Sequence, residues 1–173
     1  ELKEVVSTPE GAVRVRFQLP DCPEAEVFPT FSVEYEVAVS QSLELSLKVT
    51  NNSEQDELSF EDCLHTYFEV GDVTAISISG LKGVTYQEQI SGFVQKAETQ
   101  EAIRFASEVD RTYLSTRDTV QLIDPRLGRK VLIEKQGSES TVVWNPWIAK
   151  AHQMPDFGND EYERMVCVES GNV

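Results

Sequence analysis

His65 is one of two histidines in 173 residues, and its neighbours could do chemistry. It lies in Cys63-Leu64-His65-Thr66-Tyr67-Phe68-Glu69-Val70. On a strand, alternation puts Cys63, His65, Tyr67 and Glu69 on one face and Leu64, Thr66, Phe68 and Val70 on the other. A second segment, Met165-Val166-Cys167-Val168-Glu169, sets Met165, Cys167 and Glu169 opposite Val166 and Val168. In both, a small Cys precedes a titratable group by two residues on the same side. A sheet lines a shallow ligand pocket in this way. The ordinary reading is a hydrogen-bonded strand histidine and a solvent-facing Glu at a strand end. A metal reading is also open, since C-x-H and C-x-E on adjacent strands supply soft and hard ligands. Zinc sites draw more often on C-x₂₋₄-C or two-His spacings; neither appears, and no metal is assigned. An acidic pair such as Glu169 with Asp110 would suit a glycosidase, but their separation is not readable from sequence.

The elements that must position these residues are strands. Val13, Val15, Phe17 and Leu19 alternate with polar residues over Ala12–Leu19, and Phe31–Val39 and Leu43–Val49 repeat the pattern. Alternation of this length means half-buried strands. Further strands are expected at Leu58–Val70, Val73–Ser79, Glu101–Phe105, Thr119–Ile123, Lys130–Glu134, Thr141–Trp144 and Tyr162–Glu169. Gly71-Asp72, Gly80, Asp124-Pro125 and Gly137-Ser138 punctuate them. No stretch of ten or more residues carries a clean helical stripe. The chain reads as all-β, an antiparallel sandwich or barrel, and as one domain over residues 1–173.

Composition narrows the function. A hydrophobic content of 40% argues against disorder. A formal net charge of −15 argues against nucleic acid, whose phosphates need a basic face. No apolar run approaches the roughly 20 residues of a membrane-spanning helix. Cys22, Cys63 and Cys167 are odd in number and lie in no CxxC spacing, which fits reduced thiols in a cytoplasmic protein.

Several blocks together are more specific. Leu64-His65-Thr66-Tyr67-Phe68, Ser79-Gly80-Leu81-Lys82-Gly83, Glu108-Val109-Asp110-Arg111-Thr112-Tyr113, Val143-Trp144-Asn145-Pro146-Trp147, Met154-Pro155-Asp156-Phe157 and Val166-Cys167-Val168-Glu169 follow one another in a set order. In order and spacing they resemble the hexose-6-phosphate mutarotases, the glucose-6-phosphate 1-epimerases of the aldose 1-epimerase superfamily. The resemblance implies a large antiparallel β-sandwich of the galactose mutarotase-like type, with sugar bound on a concave sheet face. It implies interconversion of α and β anomers through a ring-opened aldehyde, without metal or cofactor. It assigns His65 as general acid, Glu169 as general base and Asp110 as a sugar-binding carboxylate. Asp110 could also favour the charged form of His65, as a neighbouring carboxylate does. Tyr67, on the face of His65, could orient it. Trp144 could stack on a sugar ring, or one Trp of the Trp-Asn-Pro-Trp block could pack in the core while Asn-Pro turns the chain. Arg111, next to Asp110 on an extended segment, should point the other way, and His152 should be a surface residue.

Family chains also carry a substantial section before the equivalent of the first strand, including arginines for the substrate phosphate, and a final strand after the Cys-Val-Glu block. The expectation is that these 173 residues are the C-terminal majority of a longer sandwich. Arg14 and Arg16 lie outside every family motif and are not assigned the phosphate. Two alternatives stay open: a non-catalytic carbohydrate-binding sandwich, and a mutarotase for neutral aldoses. The oligomeric state is not legible.

Overall fold

The computed structural model describes residues 1–9, 11–90 and 92–173. They form two compact units, Glu1–Phe60 and Glu61–Val173.

The first unit is a four-stranded antiparallel sheet in chain order: β1 (Leu2–Ser7), β2 (Val13–Gln18), β3 (Phe31–Val39) and β4 (Leu43–Asn51). Its register aligns the period-two pattern of each strand with the next. Val15 faces Val37, and Val37 faces Leu45. Phe17 stacks on Tyr35 with ring centroids 6.4 Å apart, and Tyr35 faces Leu47. The other face is charged. Arg16 lies 3.3 Å from Glu4 and 3.4 Å from Glu36, and Lys48 lies 3.8 Å from Glu34. Arg14 and Arg16 are thus committed to carboxylates of their own sheet.

The second unit is a sandwich. Its larger sheet contains β5 (Asp62–Leu64), β6 (Tyr67–Glu69), β8 (Thr85–Glu88), β9 (Val94–Ala97), β11 (Val109–Tyr113), β14 (Ser140–Asn145) and β15 (Met165–Asn172). The strand order is β5-β15-β14-β11-β8-β9, with β6 also pairing to β15. Its smaller sheet runs β10 (Ala102–Ile103), β7 (Ser77–Ser79), β12 (Val120–Asp124) and β13 (Arg129–Ile133). Val109, Tyr113, Val143, Val166 and Val168 from the larger sheet share one buried cluster with Ile78, Ile103, Val120 and Leu122 from the smaller. At roughly 1.5–3 kcal/mol per fully buried aliphatic side chain, this cluster dominates the unit's stability.

The all-β reading is borne out, and antiparallel pairing is general among the described residues. The structure adjusts several boundaries. The expected strand over Leu58–Val70 is interrupted into β5 and β6 at His65 and Thr66. Val73–Ser79 shortens to β7, and the chain entering β15 forms a 3₁₀ turn over Glu161–Arg164. Trp147–Ala151 forms one short helix, α1. No helix among the described residues is long and apolar enough to cross a membrane.

Candidate active site

Strand register assembles the site. Leu64 faces Ser170 and Tyr67 faces Cys167, so β5 and β6 meet β15 in one continuous register. Carried across the gap, that register sets His65 opposite Glu169. There the backbone ladder thins to the Val168 N–H donating to the Thr66 carbonyl at 3.3 Å. The gap frees His65, whose side chain is 68% exposed, while the Glu169 side chain is 5% exposed. His65 and Glu169 therefore stand side by side, with the carboxylate buried in mid-strand, not facing solvent at a strand end.

The two groups touch. His65 Nδ1 lies 3.2 Å from Glu169 Oε1, and the Cys63 thiol donates to Glu169 Oε2 at 3.1 Å. Burial, followed by the hydrogen bond to Glu169 and its charge, pushes the Cys63 thiol up to about 12. The same causes push up the Cys167 thiol. Cys63 is therefore a neutral donor to the carboxylate, and Cys167 is held protonated on the same face. Burial also raises the Tyr67 hydroxyl, with Cys167 and Glu169 adding to the shift.

Close packing fixes β5. Gly171 faces Cys63 in the ladder. A Cβ at this position would collide with the Asp62 carbonyl and lie 3.0 Å from Cys63 Cα and 3.2 Å from Sγ. Asn172 Nδ2 donates to Asp62 Oδ1 at 2.9 Å, holding the same two strands together.

The row of residues beside the pair extends across the sheet. Tyr67 faces Cys167, Cys167 faces Trp144, and Trp144 faces Asp110. Directly opposed residues on antiparallel strands share a face, so these four form one line. Trp144 packs edge-on against Tyr67 at 6.1 Å and Phe157 at 6.5 Å, giving an aromatic floor of the kind that takes the C–H face of a sugar. Asp110 is paired: Lys150 Nζ lies 3.2 Å from its Oδ2 and 3.4 Å from Glu108 Oε1, and 5.8 Å from the Trp144 ring centre. Burial disfavours the lysine's charge, but the two carboxylates outweigh it and raise its pKa. Glu169, not Asp110, is thus the carboxylate beside His65. Asp110 belongs to the same face through Trp144 and Lys150.

Trp144 and Trp147 divide the roles anticipated for the Trp-Asn-Pro-Trp block. Trp147 packs against the core and Tyr162, with φ of +56°. Asn145 Nδ2 donates to the carbonyls of Tyr162 and Met165, each at 2.9 Å, and its Oδ1 accepts from Trp147 N–H. Buried Asn145 therefore pins the turn that presents α1, and with it Lys150. Arg111 does point away, to Glu98 at 2.9 Å, where the Tyr113 hydroxyl also donates. His152 is exposed at the end of α1. Sequence reasoning passed over Lys150, Phe157 and Gly171; of these only Phe157 lay inside a quoted block.

The model of the family described as "Aldose 1-epimerase" matches residues 3–173. A protein of Cenchrus ciliaris named "Putative glucose-6-phosphate 1-epimerase" is 35% identical over 147 residues, covering 83% of this chain and 45% of its own. One of the same name from Escherichia coli K12 is 29% identical over 160 residues, covering 91% of this chain and 52% of its own. A solved structure of a "putative mutarotase (YeaD)" from Salmonella typhimurium superposes with a TM-score of 0.89 at 25% identity, over all of this chain and 57% of that one. A galactose mutarotase-like protein of Clostridium acetobutylicum shares the fold at a TM-score of 0.68 and 14% identity. The chain spans about half the length of the curated relatives it matches. With its family model matched over nearly every residue, the chain belongs to the aldose 1-epimerase family.

Proposed function

We propose that the protein to which this chain belongs is a cytoplasmic hexose-6-phosphate mutarotase in which His65 and Glu169 exchange protons with the substrate. The observation that carries the reading is the 3.2 Å approach of an exposed imidazole to a buried carboxylate beside an aromatic floor. Glu169 takes the proton of the anomeric hydroxyl, and His65 delivers one to the ring oxygen. The C1–O5 bond breaks as the carbonyl forms. Rotation of the aldehyde and reversal of both transfers close the other anomer. With Nδ1 directed at Glu169, the His65 Nε2 faces outward and is the nitrogen available to the ring oxygen. Asp110 accepts hydrogen bonds from sugar hydroxyls, and Lys150 holds that carboxylate in place.

The names of the relatives support a phosphorylated hexose, and three unpaired thiols support a reducing compartment. The chemistry runs on side-chain protons and needs no cofactor. The test is polarimetry of freshly dissolved α-glucose 6-phosphate and, separately, α-glucose. Acceleration is expected, larger for the phosphate, and a drop of about 10²–10⁴-fold in both His65→Ala and Glu169→Gln. Unchanged rates in these variants would remove the proton-transfer roles, and a preference for unphosphorylated glucose would redirect the substrate to neutral aldoses.

A further inference from the structure

We propose that the catalytic pair doubles as an inhibitory zinc site, in which Cys63, His65 and Glu169 capture Zn²⁺ and withdraw both proton-transfer groups from the sugar. The inhibitory half of this proposal rests on the mutarotase reading; the metal binding does not.

One donor atom from each residue lies within 4.8 Å of the other two. The Cys63–Glu169 and His65–Glu169 approaches are already 3.1 and 3.2 Å. Zinc bonds of about 2.0–2.3 Å in a tetrahedron require donor separations of roughly 3.3–3.6 Å. These two approaches use different oxygens of Glu169. With one carboxylate oxygen as donor, the farthest of the three donor atoms, within 4.8 Å, must draw in by about an ångström, which rotation of the exposed His65 side chain can supply. Thiol, imidazole and carboxylate together suit a borderline-soft cation, whereas Ca²⁺ and Mg²⁺ want shells of oxygen.

The frame is built for the purpose too. Cys63 and Glu169 stand on strands locked by ladder register, with Gly171 allowing their close approach. His65 sits in the ladder gap and is exposed, so it can swing to complete the triad. Three protein donors leave one position toward solvent, for water or a sugar hydroxyl. Binding replaces the thiol proton, which passes to solvent, by the metal. The cation also compensates the negative charge of the thiolate and carboxylate that bind it.

Cobalt(II) reports the site directly, because thiolate ligation gives a near-ultraviolet charge-transfer band. Titration of the reduced 173-residue chain should show this band at one equivalent, displaced by one equivalent of Zn²⁺. The band should persist in Cys22→Ser and vanish in Cys63→Ser. In His65→Ala, a change at an exposed position that the fold tolerates, the titration should shift to at least about tenfold higher metal. No band, a band that survives Cys63→Ser, or unchanged affinity in His65→Ala overturns the site. Zn²⁺ should also suppress mutarotation, and EDTA should restore it. A full-length protein that binds cobalt through Cys63 yet leaves mutarotation unaccelerated supports the metal site and removes the mutarotase reading. A chain that accelerates mutarotation and is indifferent to Zn²⁺ overturns the inhibition.

Discussion

At the residue scale, the two oxygens of Glu169 face different partners, His65 through Oε1 and Cys63 through Oε2. A thiol pushed up to about 12 leaves on the order of one thiolate in ten thousand at pH 8. Cys63 therefore donates to the carboxylate and does not compete with it as a base. Alkylation by iodoacetamide at pH 8, followed by peptide mass spectrometry, should label Cys22 first and leave Cys63 and Cys167 nearly untouched. The thiolate is the reactive form, so labelling of Cys63 should rise about tenfold per pH unit until the pH nears 12. Glu169→Gln removes the charge that helps hold the thiol neutral, and Cys63 should then label faster at pH 8. Burial, the larger cause, remains, so the gain should be partial. Labelling of Cys63 at the rate of Cys22 in the parent chain would contradict the arrangement.

The decisive feature among the elements is the pairing of the short strand β5 with β15, which carries Cys63 to the carboxylate. Gly171→Ala forces a methyl group into the Asp62 carbonyl and the Cys63 backbone. Overpacking of this kind costs about 1–3 kcal/mol, so the urea midpoint should fall while the denaturant slope holds. Mutarotation should fall with it, because relieving the clash between β5 and β15 disturbs the strand that carries Glu169. A variant with parent stability and parent activity would show that the strand pair is slack. Much of this scaffold was legible in the residues, since period-two alternation located β2, β3 and β4 and put His65 on one face with Cys63 and Glu169 on one face with Cys167. Their contact was legible only through the family resemblance, as strand pairing over a hundred residues apart leaves no local trace. Alternation missed β8 and β11 for a physical reason. Glu88 and Arg111 lie directly opposed in the ladder, and Glu98 binds both Arg111 and Tyr113, so paired charges stand where the pattern expects apolar residues. The one-turn helix α1 is too short to show a helical period, and its Lys150 reaches Asp110 only through the turn that Asn145 pins.

Charge sets the behaviour of the whole molecule. Glu1–Phe60 carries twelve acidic against four basic side chains, a net of −8, and Glu61–Val173 eighteen against eleven, a net of −7. Each unit therefore repels itself as well as anionic ligands. The ion pairs work the other way, but most are exposed and worth about 0–1 kcal/mol each. Salt separates the two effects by distance. Raising ionic strength from about 0.01 to 0.15 M shortens the screening length from roughly 30 to 8 Å. Pairs in contact at 3–4 Å lie inside even the shorter length, whereas repulsion spread over a unit acts mostly beyond it. The net effect of salt should be stabilising, by about 1 kcal/mol, or a rise of about 2–4 °C in Tm for a chain of this size. Differential scanning calorimetry in sodium chloride across that range tests it, with an unbranched neutral sugar alcohol as an osmotic control. A Tm that falls with salt would mean that the contact pairs, not the net charge, dominate. The same screening should raise kcat/KM for glucose 6-phosphate and leave that for glucose unmoved, because only the anion is repelled at long range. Equal salt dependence for the two sugars would show that the field of the −15 chain does not reach the site.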